Sequence, residues 1–134
     1  MRKHGKKRES GHRSKLEDDF GDILTSLGIE QVYEKDHLAY TVPESKHKYT
    51  IDFTLPNKIF IECKGYLRDY DERHKYQLIK EQHPEADIRF VFANPYKMIS
   101  RTKMDHKDWC IKFGFPWCAV SDVETIKKWS EECL

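Results

Sequence analysis

Leu16, Phe20, Ile23, Leu24 and Leu27 recur at the spacing that lines one face of a helix. Gly28 follows as a stop signal, and Ser14-Lys15-Leu16-Glu17 opens the run with the pattern of a capping box. Short strands are expected at 31–33 and 37–42, the second halted by Pro43. From Tyr49 the rhythm changes. Tyr49, Ile51, Phe53 and Leu55 alternate with Thr50, Asp52 and Thr54, the period of a half-buried strand. Pro56-Asn57 marks a turn, after which Ile59, Ile61 and Cys63 alternate again as far as Lys64. A three-residue loop, Pro56-Asn57-Lys58, sets Asp52 opposite Glu62. A two-residue loop would pair Asp52 with Ile61 and break the apolar face, so the pattern selects the first register.

Further along, residues 71–82 read as a helix ending before Pro84, and 87–93 as a nearly continuous apolar strand buried on both faces. A basic loop is expected at 96–103, then a short helix from Asp105 to Gly114 and a strand at 117–120. Ser121 and Glu124 are placed to cap a final helix. A helix, a run of strands, then helices alternating with strands predict an α/β sandwich, a mixed sheet flanked by helices. Trp109, Cys110, Trp117 and Trp129 sit beside apolar neighbours and are read as core. At 134 residues the chain has room for one core.

Charge adds an asymmetry that the net value of +1 conceals. Residues 1–15 hold seven Lys/Arg and one acid, a balance of +6, and the remainder carries 17 basic and 22 acidic groups. The reading is a flexible basic arm at 1–15 on an acidic domain at 16–134, a layout that suits a polyanionic partner. With 35% charged and 13% aromatic residues the chain is polar yet rich enough in rings to fold. No apolar run nears the roughly 20 residues that span a bilayer, and no apolar stretch follows the basic start. Membrane and export readings are therefore set aside in favour of a cytoplasmic protein. Cys63, Cys110, Cys118 and Cys133 lack paired zinc spacing and are read as reduced thiols. The seven histidines show no helical zinc pair.

The candidate chemistry lies on the hairpin. Asp52 faces Glu62, and strand alternation puts Lys64 on the same face. Two adjacent carboxylates repel unless a cation sits between them. Hard oxygen ligands on a rigid sheet suit Mg²⁺, or Mn²⁺ in its place, with the Cys63 carbonyl as a further oxygen. Such an ion polarises a phosphoryl oxygen, and Lys64 is placed to orient water or offset charge. The spacing fits the PD-(D/E)xK nuclease signature, with Ile51 where proline usually stands. An ordinary hairpin in which Lys64 neutralises Glu62 has the same spacing.

Distinctive stretches run through the chain at 14–18 (SKLED), 49–57 (YTIDFTLPN) and 59–65 (IFIECKG), and at 81–92 (EQHPEADIRFVF), 100–103 (SRTK) and around Cys110–Phe115. Through them the chain resembles, over nearly its whole length, the bacteriophage endonuclease I family. It implies a restriction-endonuclease-like core that hydrolyses branched double-stranded DNA, four-way (Holliday) junctions above all, with a divalent metal. It also implies a domain-swapped homodimer crossing over near Pro43-Glu44-Ser45-Lys46. By motif, Asp52 and Glu62 would be metal ligands, Lys64 the catalytic lysine, and Glu17 an acidic metal-site residue from the partner chain. From its residues alone, Glu17 reads first as a capping-box glutamate beside Ser14.

DNA contacts are expected from Arg2, Lys3, Lys6, Lys7, Arg8 and Arg13 in the arm, which would release counterions. Arg73 and Lys75, with His74, begin the helix after the catalytic strand, and Arg101 and Lys103 lie in the long loop. These are further candidates for phosphate contact or solvated surface. Two rivals stand beside the junction nuclease: a sequence-specific or mismatch nuclease on the same core, and a non-catalytic DNA-binding module.

Overall fold

The computed structural model describes residues 8–42 and 45–133. The elements are α1 (Lys15–Ser26), β1 (Val32–Tyr33), β2 (His37–Val42), β3 (Ser45–Thr50), β4 (Phe53–Thr54), β5 (Ile59–Lys64), α2 (Tyr70–Gln82), β6 (Asp87–Phe92), α3 (His106–Phe113), β7 (Trp117–Ala119) and α4 (Val123–Ser130).

Helix α1 forms where the periodicity put it. Ser14 is its N-cap, accepting from the Glu17 N–H at 3.1 Å. Its end is a Schellman-type closure: Gly28 at φ +69° lets the Ile29 N–H reach the Leu24 carbonyl. The β4–β5 hairpin takes the expected register, with Phe53 opposite Ile61 and Thr54 opposite Phe60. Its loop is a turn closed by Lys58 N–H on the Leu55 carbonyl, with Lys58 left-handed at φ 71°.

The main sheet runs β1-β4-β5-β6-β7. β1–β4 and β4–β5 are antiparallel, and β5–β6 and β6–β7 are parallel, joined through α2 and α3. This is the mixed sheet the sequence predicts. One face buries Tyr76, Ile79, Phe90, Phe92 and Trp109 with α2 and α3, and the other buries Phe20, Leu24, Ile61, Val91 and Trp129 with α1 and α4. β6 is thus covered on both sides.

The expected single strand over 49–55 is broken. β3 pairs with β2 in a separate two-stranded sheet, and β4 belongs to the main sheet. At the break the Ile51 N–H bonds the Asp36 carbonyl and the Asp52 carbonyl accepts from the Glu34 N–H. The alternation has a second meaning as a result. Tyr49 and Ile51 enter the α2–α3 core, whereas Phe53 and Leu55 enter the α1–α4 core. One unbroken strand would have put all four on one face. The β2–β3 hairpin is tied to α2 by Gln82, whose amide makes two bonds of 2.7 Å with the Thr41 backbone.

Two smaller corrections concern ends. Asp122 rather than Ser121 caps α4, accepting from the Thr125 N–H, because its longer side chain reaches that donor from one residue nearer. Capping of α3 by Asp105 and its stop at Gly114 (φ 80°) follow the sequence, with a reciprocal box to Asp108. Cys63, Cys110, Cys118 and Cys133 are free thiols, and burial pushes Cys118 up to about 12. Among the described residues no helix is long and apolar enough to cross a membrane.

His106 is fully buried beneath the loop before α3. Its Nε2 accepts from the Leu67 N–H at 2.9 Å, so Nδ1 carries the proton and donates to the Lys97 carbonyl. Burial holds its pKa below the usual histidine value. The unfolded chain therefore takes up this proton first as pH falls, and the stability His106 contributes is lost below about pH 6.5. Melting His106→Asn and the parent chain at about pH 7.5 and pH 5.5 should give a smaller acid-induced drop in the variant. An equal drop in both would remove His106 from the account.

Candidate active site

Three carboxylates converge where α1, β1 and β4 meet. One oxygen each of Glu17, Glu34 and Asp52 lies within 4.8 Å of the others, and Glu17 and Asp52 are 3% and 0% exposed. Glu17 projects from the first turn of α1. Its Oε1 accepts from the Arg13 N–H at 3.0 Å and from the Tyr33 hydroxyl at 3.1 Å, while Ser14 holds its backbone. Glu17 thus serves both roles at once: its backbone N–H bonds the Ser14 cap, Oε1 also meets the Ser14 hydroxyl at 3.3 Å, and the carboxylate belongs to the cluster.

Glu34 arrives by an unusual backbone. It sits left-handed at φ 49°, just after β1, a conformation that costs a non-glycine residue roughly 1 kcal/mol or more. The Arg13 guanidinium bonds both its oxygens, at 3.0 and 3.1 Å, and orients them. Asp52, released from the ladder by the break, accepts the Cys63 N–H on Oδ2 at 2.9 Å. Cys63 thus touches Asp52 through its amide, and its side chain packs in the α1–α4 core.

Glu62 and Lys64 leave β5 toward α2. The Tyr49 hydroxyl donates to Glu62 Oε1 at 2.6 Å and that of Tyr76 to Oε2 at 2.8 Å. Burial, then the Glu62 charge, raises both phenols well above their ordinary pKa, so each remains a donor. Lys64 Nζ lies 3.5 Å from Glu62 Oε2 and 2.7 Å from Glu72 Oε2. Glu72 Oε1 takes the Arg68 N–H. Lys75 is buried with its Nζ over the Tyr49 and Tyr76 rings, and burial lowers its pKa.

The residues marked from sequence therefore gather at one end of the sheet in two adjoining groups. Glu17, Glu34 and Asp52 form one, a donor set of hard oxygens that fits Mg²⁺ or Mn²⁺. Glu62, Lys64 and Glu72 form the other, joined to the first through Cys63 between Asp52 and its strand neighbours. Glu34, Glu72 and the three tyrosines were not singled out from the sequence. Tyr49 and Tyr76 carry the apolar periodicity of core residues, and Glu34 depends on a backbone twist that no local pattern announces.

Other candidates are placed differently. Arg8 pairs with Asp18 at 2.5 Å and Arg13 with Glu34, so both guanidinium groups of the described arm are engaged within the chain. Arg2, Lys3, Lys6 and Lys7 lie outside the described residues, as do Pro43 and Glu44 of the expected crossover. Ser45 and Lys46 open β3. Arg101 and Lys103 are exposed, and Arg73 is half-buried.

The profile of the family described as Phage endonuclease I matches residues 1–132. Endodeoxyribonuclease 1 of Enterobacteria phage T3 is 50% identical over 103 residues, covering 76% of this chain and 67% of that protein. Endonuclease I of Escherichia phage T7 is 44% identical over 135 residues, covering 96% of this chain and 87% of that protein. The chain belongs to the phage endonuclease I family.

Proposed function

We propose that this chain is a divalent-metal-dependent endodeoxyribonuclease that hydrolyses branched DNA, four-way junctions above all, and acts as a homodimer. The observation that carries the reading is the buried carboxylate cluster of Glu17, Glu34 and Asp52 beside the Glu62–Lys64 pair. Three carboxylate oxygens held this close in a protein interior repel one another, and a divalent cation is the ligand that turns that repulsion into coordination. A related protein named as an endodeoxyribonuclease supports DNA as the substrate.

Glu17, Glu34 and Asp52 would hold Mg²⁺, with Mn²⁺ able to replace it. When bound, the ion polarises the scissile phosphate and makes water a better nucleophile. Arg13 and Tyr33 fix the direction of two of these carboxylates, and Cys63 fixes the third. Glu62, oriented by two phenols, accepts a hydrogen bond from attacking water or adds a ligand oxygen at the edge of the site. Lys64 supplies a positive charge at the phosphoryl oxygen as charge grows there. Two such sites in one dimer would cut opposing strands of a junction.

The test compares Mg²⁺-dependent cleavage of a labelled four-way junction with cleavage of its linear arms, alongside the protein's size in solution. Paired nicks near the branch by a dimer, with the arms intact, are expected. Equal cutting of the arms reassigns the chain to a sequence-specific or mismatch nuclease. Binding without cutting, in Mg²⁺ and in Mn²⁺, leaves a DNA-binding module.

A further inference from the structure

Six arginines lie among the described residues, and they divide into two sets. Arg8, Arg13 and Arg89 are each paired with carboxylates. Arg68, Arg73 and Arg101 form no ion pair among the described residues, and all three line one cleft of about 470 Å³ between the start of α2 and the loop at 99–101. Asp69, Tyr70 and Ser100 complete its wall. Asp69 is the sole acid there, and its Oδ1 is engaged by the Glu72 N–H as the cap of α2.

The arrangement is unusual for a body whose residues after 15 are net acidic. Three like charges converging on one cleft repel, while carboxylates elsewhere take up the other arginines. Arg73 adds an independent sign. Its Nη1 is buried and has no hydrogen-bond partner among the described residues, which is costly for a charged donor. The walls are held rather than loose: the Ser100 N–H donates to the Tyr66 hydroxyl at 2.7 Å, and the Arg73 N–H to the Asp69 carbonyl at 3.1 Å. An anion with several oxygens suits such a cleft, because guanidinium forks match phosphate geometry.

We propose that the Arg68–Arg73–Arg101 cleft is a phosphodiester-binding subsite that seats the DNA backbone beside the cleavage centre. The link to that centre is short. Arg68 donates its N–H to Glu72 Oε1, and Glu72 Oε2 holds Lys64. A phosphate seated in the cleft therefore fixes the strand within one side chain of Lys64. The proposal rests on the DNA-cleaving reading, and names Arg68, a residue outside the candidates drawn from the sequence.

The experiment measures affinity for a four-way junction and for linear duplex across a salt series, in metal-free buffer so that no strand is cut. Arg73→Gln is expected to lower the slope of log affinity against log salt by about 0.9, and the triple Arg68→Gln/Arg73→Gln/Arg101→Gln by about 2.7. Both substrates should weaken together, because a backbone contact carries no branch information. Lys127→Gln, an equal charge loss at an exposed position on α4 across the sheet, is the control and should keep the parent slope. Unchanged slopes in the arginine variants, with melting curves like the parent's, overturn the subsite. Equal slope loss in the control overturns it too, since any surface charge would then serve. The cleavage assay stands apart: a parent chain that binds with the predicted slopes but cuts no junction keeps the subsite and loses the nuclease reading.

Discussion

Lys64→Met is expected to abolish junction cleavage and to cost the folded chain about 3–5 kcal/mol, the penalty of leaving buried carboxylates without their cation. The two effects have one origin. Lys64 is 4% exposed and lies between Glu62 and Glu72, so the ammonium is the counter-charge of a buried pair and, in the proposed mechanism, the cation that meets the scissile phosphate. A simple loss of activity would not separate these roles, since an unfolded chain is also inactive. Lys64→Met combined with Glu72→Gln separates them. Glu72 is the closer partner at 2.7 Å, and removing its charge as well should restore most of the lost stability. If Lys64 acts on the phosphate, the stable double variant still cuts at least about a hundredfold more slowly, while junction affinity stays near that of the parent. Parental cutting by the double variant would make Lys64 a structural lysine. Thermal melts, gel-shift titration and single-turnover cleavage are the three measurements.

How much of this was legible beforehand depends on how local the cause is. Helix α1, its serine cap and its glycine stop depend on neighbours within two turns, and the sequence carries all of them. The β4–β5 register was also legible, because Pro56-Asn57-Lys58 and the apolar alternation agree on one loop length. Asp52, Glu62 and Lys64 fall at one end of the sheet for that reason. What the alternation hid was the bend at Asp52. An apolar residue at every second position describes one strand facing one core equally well as two strands facing two cores. Only the capture of the Ile51 amide by Asp36, and of the Asp52 carbonyl by Glu34, decides between them.

The site's supporting groups were hidden for a related reason. Tyr49 and Tyr76 earn their place as core residues by periodicity, and the pattern does not tell where a hydroxyl ends up. Lys75, grouped with Arg73 as a surface cation, is instead folded over the two tyrosine rings, its long stem buried with the charge. Glu72 follows Asp71 and looks like ordinary first-turn acid on a helix, yet it is 5% exposed and holds Lys64. Each of these is set by contacts far apart in the chain, where propensity and spacing have no reach.

The acidic cluster makes the second large prediction, and it concerns stability in the absence of any substrate. Glu17, Glu34 and Asp52 bring three carboxylates within 4.8 Å, and Arg13 bonds both oxygens of Glu34. Without metal, repulsion between neighbouring carboxylates opposes folding, so Asp52→Asn should stabilise the metal-free chain by about 1–2 kcal/mol. The amide oxygen can keep the bond from the Cys63 N–H, and its NH₂ turns a repelling neighbour into a donor toward Glu17. Mg²⁺ reverses the order. A ligand that binds only the folded state at a hundred times its dissociation constant adds about 2.7 kcal/mol, so the parent chain should melt higher as Mg²⁺ is raised. Asp52→Asn should be nearly indifferent to the same titration and should not cleave. Lys112→Gln, an exposed change on α3, should keep both the Mg²⁺ response and cleavage. The crossing of the two melting curves, variant above parent without Mg²⁺ and below it with Mg²⁺ in excess, is the result to look for. A parent chain whose stability ignores Mg²⁺ and Mn²⁺ would mean that the three carboxylates are held together by the protein alone. By the same linkage no other site on the DNA-free chain, Glu62 included, would hold the cation, and the metal-dependent reading would fall.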